Sequence, residues 1–383
     1  VWRSRRASDD LWRETKRAPP DGFCGGGAER RAAARATVVC AHAGVDGVRR
    51  RNSRAALKQA AELFDCVEFD VSAALTGELL ALHGRRAPRE LEFFAAGEEE
   101  EEEGRGPPPR RPPEGAVVGD FPLAQLRSMR WRRVRNAPPE LGRLRSGASA
   151  PRRRAKPPEE GPLLVSQALD VVLGAWRGRD AEGGGQGPTA GGEQTANRRR
   201  TLILDVKRPE GAAAANVTFE SVAQEAARAV AESGCGSTCV LWAADDEASR
   251  ALAEAVKRHG GSGGGKGAAG RPPRIGYVVA FAEGEEEPAL VPRLEGVAQV
   301  AAVDVAVLSL GRQTRRRGGG GGDGGGGGGA FAAAGQTLVA FVVDGARALR
   351  AAAQGGGSHA VVTDAPIAVS NVLSAWRRRC GRG

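Results

Sequence analysis

The sequence predicts an α/β fold in which eight parallel strands close into a (β/α)8 barrel, interrupted by long low-complexity loop insertions. From about residue 37 onward, short apolar runs alternate with amphipathic helical stretches, the pattern of a parallel sheet with covering helices. The apolar runs number eight in this reading and are nearly continuous, as strands covered on both faces require. Once segments too polar to pack and a basic tail are set aside, roughly 240 residues remain, close to the roughly 250 of a (β/α)8 barrel.

Each element has a local reason. Residues 1–36 are Arg-rich and are expected to be a disordered tail, although Trp2 and Trp12 lie within them and Asp9, Asp10 and Glu14 argue against a transit peptide. The barrel domain then runs from 37 to 383. Its first strand is Val38–His42, followed by an amphipathic helix over Ser53–Phe64 and a second strand at Val67–Val71. The run Leu79–His83 is an extra extended piece that lets His83 swing back over the strand ends. A helix over Pro162–Trp176 leads to strand Leu202–Val206, helix Phe219–Ser233 with its stop at Gly234, and strand Cys239–Trp242. Helix Asp246–His259, stopped by Gly260, precedes strands Ile275–Ala280 and Val303–Leu308. A Gly-rich segment at 318–329 replaces or interrupts the next helix. Strand Leu338–Val343, helix Gly345–Ala353 with Gly355 after it, strand Ala360–Thr363 and helix Pro366–Arg378 complete the series. Insertions near 98–115, 136–161, 178–200, 260–273 and 311–335 are nearly devoid of large apolar residues; such segments bury too little surface to offset chain entropy.

A net charge of +10 with a pI near 9.9 raises nucleic acid or an anionic surface as a partner. The arginines, however, lie in short dispersed runs, and aromatics make up only 4% of the chain. That leaves no stacking platform, so no specific nucleic-acid partner is expected. No apolar run approaches the roughly 20 residues of a membrane helix, so no transmembrane segment is expected. Compartment stays open between cytoplasm and plastid for a soluble protein, and oligomeric state stays open too. Cys40 and Cys66 lie inside strand-like runs and are expected to be buried thiols. Cys235 and Cys239 are expected to be a free pair at a helix-to-strand turn, with a small disulfide or a metal site as alternatives.

Chemistry collects at strand ends. His42 closes the run starting at Val38, Glu68 and Asp70 sit two apart on the second run, and His83 follows Leu79–Leu82. Carboxylates two apart on a strand share a face and can grip one hard cation. Imidazoles near pH 7 can pass protons to a substrate held there. The set reads as a metal-assisted hydrolytic site.

Ala41-His42, Asn52 to Leu57, Val67-Glu68-Phe69-Asp70-Val71 and Leu80-Ala81-Leu82-His83 together resemble the opening block of the glycerophosphodiester phosphodiesterase family. Leu202 to Lys207 resembles that family's Ile-Glu-Ile-Lys strand, and Val361 to Pro366 its closing Ile-Thr-Asp-x-Pro. Cys239–Ala243 and Ile275–Val279 are most similar to its plant-type members. The resemblance implies a (β/α)8 TIM barrel that cleaves glycerophosphodiesters to glycerol 3-phosphate and an alcohol. It implies a divalent cation, Mg2+ or Ca2+, on Glu68, Asp70 and Asp205. His42 and His83 would share the base and acid roles in either assignment, and Lys207 would meet the phosphate. The attacking group would be the substrate's own glycerol hydroxyl, giving a cyclic phosphate that water opens. Trp242, at the end of the fourth strand, is read either as lining the glycerol pocket or as capping the barrel core.

The chain also departs from that pattern. Ala43 stands in place of an Arg, Arg51 in place of a Glu, Gly84 in place of an Asp and Phe341 in place of a Trp. Asp205 for Glu shortens a ligand by one methylene, roughly 1.5 Å. Arg51, Arg85, Arg86 and Arg208 are candidates to restore positive charge near the phosphate. The alternative function is a catalytically impaired barrel acting as a phosphodiester-binding or regulatory protein.

Overall fold

The computed structural model of the chain describes residues 10–20, 23–24, 37–45, 51–84, 91–93, 112–131, 161–183, 200–260, 271–279, 294–304, 331, 333–341, 343, 345–354 and 359–380. Eight parallel strands form a ring: β1 (Val38–His42), β2 (Cys66–Ala73), β3 (Thr201–Val206), β4 (Cys239–Ala243), β5 (Arg274–Val279), β6 (Val300–Asp304), β7 (Thr337–Phe341) and β8 (Ala360–Thr363). Each pairs with the next in chain order, and β8 returns to β1 with Thr363 opposite Ala41. Closure leaves the ring itself without a sheet edge. The strands alternate: Val67, Phe69 and Val71 of β2 join the layer under the helices, while Cys66 joins an inner cluster with Ile203, Val240, Val278, Val339 and Val362. Glu68 and Asp70 share the parity of Cys66 and therefore face the barrel interior.

The helices are α1 (Arg54–Leu63), α2 (Leu123–Ser128), α3 (Val165–Gly183), α4 (Phe219–Ser233), α5 (Asp246–Gly260), α6 (Ala346–Gln354) and α7 (Pro366–Cys380). Ser53 caps α1 by accepting a hydrogen bond from the Ala56 amide at 3.3 Å, and Thr218 caps α4 by accepting from the Ser221 amide at 3.2 Å. Between β2 and α3 the chain adds a cap. Leu79–Leu80 runs antiparallel to Ala73 and Ser72, and Leu80, Leu82, Val118, Phe121, Leu126 and Met129 form a buried cluster there. This cap carries His83 to the barrel mouth.

Most elements lie within one to three residues of their expected ends. The sixth strand is displaced: it occupies Val300–Asp304 rather than Val303–Leu308, because Ala301, in the layer under the helices, and Ala302, in the inner cluster, are small where bulkier residues mark the other strands. Residues 305–308 lie outside the described set. Helix α3 runs to Gly183, into the segment expected as an insertion from 178. Arg179 donates to the Ala61 carbonyl at 2.9 Å, and Arg200 grips Asp180 at 2.7 and 2.8 Å, which ties that last turn to the barrel. The remaining expected insertions at 98–111, 136–160, 184–199, 261–270 and 311–330, with the Gly-rich 318–329, lie outside the described residues. No helix among the described residues is long and apolar enough to cross a membrane.

Two expectations are corrected. Residues 10–20 and 23–24 of the supposed disordered tail fold onto α6 and α7. Leu11 and Glu14 are fully buried, Phe23 packs edge-on against Trp376 at 5.2 Å, and Arg350 meets the Glu14 carboxylate at 2.5 Å. The segment is also tied by the Arg350 side chain, which donates to the Ala18 carbonyl at 2.8 Å, and by the Cys24–Cys380 disulfide. All six cysteines are paired, as Cys24–Cys380, Cys40–Cys66 and Cys235–Cys239. The supposed thiols Cys40 and Cys66 face each other across β1 and β2 with Cα atoms 4.4 Å apart, within bridging reach.

Glu14 is buried with Arg350 close against it and Arg17 at 3.5 Å. Arg350→Ala leaves a buried carboxylate poorly paired and is expected to destabilise the protein by about 3 kcal/mol. Urea denaturation reads this out; an unchanged midpoint would mean that the N-terminal segment is not seated on the barrel.

Candidate active site

The site is built on the turn that leaves β1. Gly44, at φ +130°, passes so close to α1 that a Cβ there would lie 2.7 Å from the Ala56 Cβ. Ala43 and Asn52 both take positive φ, at 55° and 58°, and the Asn52 amide donates to the Ala43 carbonyl at 2.8 Å. Asparagine tolerates this conformation better than most residues. Its side chain then bolts the turn to β2: Nδ2 donates to Asp70 Oδ2 at 3.0 Å, and Oδ1 accepts from the Asp70 amide at 3.3 Å.

His42 ends β1 opposite Glu68. Its Nδ1 lies 2.6 Å from Asp364 Oδ1, and its Nε2 lies 3.5 Å from Glu68 Oε2. The other Asp364 oxygen pairs with Arg51. Asp364 was missed as a functional residue in the sequence. The signal was present, since closing the barrel sets Thr363 beside Ala41 and so brings the next residue of each strand together. Burial alone would lower the His42 pKa, but Glu68, Asp364 and Asp70 outweigh it and raise it to about 9. Asp364 is pulled against its own burial to about 2 by His42 and Arg51.

Glu68 is fully buried, and neither of its carboxylate oxygens has a hydrogen-bond partner. Burial, reinforced by Asp70 and Asp205, raises its pKa to about 8 against the pull of His42. Asp70 goes the other way: Lys207, His42 and His83 overcome its burial and hold it near 2. Asp205 stands beside Asp70 in register. Lys207 bridges the pair, with Nζ 2.5 Å from Asp205 Oδ2 and 3.3 Å from Asp70 Oδ1. These carboxylates outweigh the effect of burial on the lysine and raise its pKa.

The other expected residues fall into place around this group. His83 is half-buried at the mouth, and its charge is felt by Asp70. At Gly84, an added Cβ would sit 3.1 Å from Glu210 Oε2 and 3.3 Å from Ser72 Oγ, so a carboxylate from after β3 fills the space beside the glycine. Trp242 has no exposed surface. It packs edge-on to Phe341 at 5.6 Å, and Phe341 meets the His42 ring at 5.6 Å. Trp242 thus belongs to the inner cluster of the barrel, beneath the His42 ring. Arg208 forks onto Asp245 and Glu247 at 2.7 to 2.9 Å, turned to that pair rather than to a phosphate. Arg85 and Arg86 lie outside the described residues.

Ligand atoms of His42, Glu68 and Asp70 lie within 4.8 Å of one another. A buried carboxylate with both oxygens unbonded is costly, and oxygen donors of this kind suit a hard divalent cation. The residues therefore fit such an ion. Asp205 lies beside this cluster rather than in it and reaches it through Lys207.

No protein-family model and no curated protein matches the chain. Solved structures do. One described as a glycerophosphoryl diester phosphodiesterase from Silicibacter pomeroyi is similar over 89% of this chain and 94% of that one, at 13% identity and a TM-score of 0.55. A glycerophosphodiester phosphodiesterase from Parabacteroides distasonis is similar over 88% and 97%, at 13% identity and a TM-score of 0.50. The likeness shows the fold. At such identity the chemistry has to be argued from the side chains.

His42 and Glu68 both have folded-state pKa values above their ordinary 6.5 and 4.5. Each therefore binds its proton more tightly when folded, so the stability contributed by Glu68 is lost as pH rises from 4.5 to about 8 and that contributed by His42 as it rises from 6.5 to about 9. In chelator-treated protein, denaturation at pH 5, 7 and 9 is expected to show this decline, and Glu68→Gln is expected to flatten it. Parallel curves for the two proteins would contradict the assignment.

Proposed function

We propose that the protein is a metal-dependent glycerophosphodiester phosphodiesterase, releasing glycerol 3-phosphate and an alcohol from small-molecule diesters. The observation that carries this is the buried, hydrogen-bond-free Glu68 carboxylate beside Asp70 and His42 at the strand ends, where (β/α)8 enzymes keep their chemistry. The barrel shared with the two solved phosphodiesterases and the ordered motifs of the sequence support the same reading. Cys239–Ala243 and Ile275–Val279 support the plant-type branch on sequence alone.

Glu68 and Asp70 would hold a divalent cation, Mg2+ or Ca2+, with Asp205 as a third carboxylate once Lys207 moves toward the substrate. When bound, such a cation polarises a phosphoryl oxygen and offsets the charge that builds in the transition state. The Asp364 contact engages Nδ1 of His42 and leaves Nε2 turned toward the site, the division of labour seen wherever a carboxylate orients a working imidazole. In the first step one of His42 and His83 takes the proton of the glycerol hydroxyl as its oxygen attacks phosphorus. The other gives a proton to the alcohol oxygen as its bond to phosphorus breaks. In the second step water opens the cyclic phosphate with the two roles exchanged. Lys207 would supply positive charge at the phosphate.

Glycerol 3-phosphate release from glycerophosphocholine and related diesters tests this directly. Chelation is expected to abolish release, divalent cation to restore it, and His42→Ala to lower kcat by about 10²–10⁴-fold. Unchanged turnover in the His42→Ala protein would sink the assignment. A second reading, a barrel that binds diesters without turnover, draws support from Lys207, whose ammonium is held by Asp70 and Asp205. On that reading a diester raises the melting temperature and is recovered intact.

A further inference from the structure

The charge reversal at position 51 has a structural counterpart across the barrel mouth. Arg51 follows the turn from β1, and its neighbour Asn52 is fastened to Asp70 by two hydrogen bonds. The arginine thus leaves a fixed point and reaches a carboxylate 313 residues further along the chain. That carboxylate, Asp364, offers one oxygen to Arg51 and the other to His42. His42 in turn faces Glu68, two residues from Asp70 on the same strand. The contacts form a closed circuit, from Asp70 through Asn52, Arg51, Asp364 and His42 to Glu68, that begins and ends on β2.

We propose that Arg51 is a positioning residue which holds the Asp364 carboxylate in the orientation that fixes the His42 ring. A carboxylate bonded on one oxygen alone can rotate and present either oxygen, or swing to solvent. Engaged on both oxygens by groups on different elements, it has one orientation. That orientation keeps Nδ1 of His42 as the bonded nitrogen and Nε2 as the nitrogen facing Glu68. The glutamate that the family resemblance puts at position 51 would face Asp364 as a like charge, so Arg51 builds a different support for the same ring rather than marking a lost one. A part-buried Arg–Asp pair still in contact with solvent loses in desolvation much of what it gains in attraction. With Arg51 38% and Asp364 24% exposed, the role assigned here is one of geometry rather than of folding energy.

The kinetic part of the test rests on the hydrolase reading; the spectroscopic part does not. With four histidines in the whole chain, selective 15N labelling of the full-length protein gives a simple imidazole spectrum. The hydrogen-bonded Nδ1–H of His42, identified by its loss in His42→Gln, is expected in the wild type and absent in Asp364→Asn. Arg51→Met is expected to broaden or shift it, and Arg51→Lys to restore it in part. A spectrum of Arg51→Met identical to the wild type overturns the proposal. In turnover, Arg51→Met is expected to lower kcat about tenfold with KM within about twofold. The Arg51→Met/Asp364→Asn double variant should then be no slower than Asp364→Asn alone, the signature of one residue acting through another. A KM increase that persists in the Asp364→Asn background would mean that Arg51 touches substrate, and would also overturn it. If the wild type hydrolyses no diester, the hydrolase reading falls, while the imidazole spectrum still decides the role of Arg51.

Discussion

The constraint around which the site is arranged is the Glu68 carboxylate, buried inside the barrel with no hydrogen bond to either oxygen. An isolated ionised carboxylate in such surroundings is strongly unfavourable, and Glu68 holds its proton up to about pH 8 although His42 and Lys207 pull the other way. Imidazolium character is drawn onto His42, and Lys207 balances Asp70 and Asp205. The fold accepts an energetically poor position at the one place where a cation and a phosphate would meet, the pattern expected of a site selected for chemistry rather than stability.

Barrel closure is what makes this arrangement available. The residues involved come from β1, β2, β3 and the segment after β8, far apart in sequence but neighbours in the ring. One layer below, the Cys40–Cys66 disulfide joins the positions that precede His42 and Glu68 by two residues on their strands. The same β1–β2 register that pairs the two cysteines also pairs the imidazole with the carboxylate. Trp242 and Phe341 close the floor under the ring of His42. This face of the barrel therefore stands on packed interior side chains and a covalent tie, which is how rigid elements keep a site within working tolerance.

Much of this was legible in the sequence because it depends on local periodicity. Alternation along Val67–Val71 already put Glu68 and Asp70 on one face, and the apolar runs marked seven strands near their observed ends. The sixth was misplaced because Ala301 and Ala302 carry too little apolar signal to mark a strand. What escaped was decided by contacts between distant segments. Asp364 meets His42 across 322 residues, and the cysteine pairs form only once strands and termini are brought together. The Arg-rich composition of residues 1–36 hid a docked segment, because Glu14 and Phe23 find their partners in Arg350 of α6 and Trp376 of α7. Arg51 read as a missing acid because its meaning lies in Asp364, which no local pattern connects to it.

Glu68 and Asp70 are the proposed seat of a divalent cation at the mouth of the barrel. Anomalous diffraction from crystals grown with Mn2+ tests it most directly. The expected result is one strong peak in contact with carboxylate oxygens of both Glu68 and Asp70, absent from crystals of Glu68→Gln. A Mn2+ peak elsewhere with these two carboxylates unbound, or no peak at all, would contradict it.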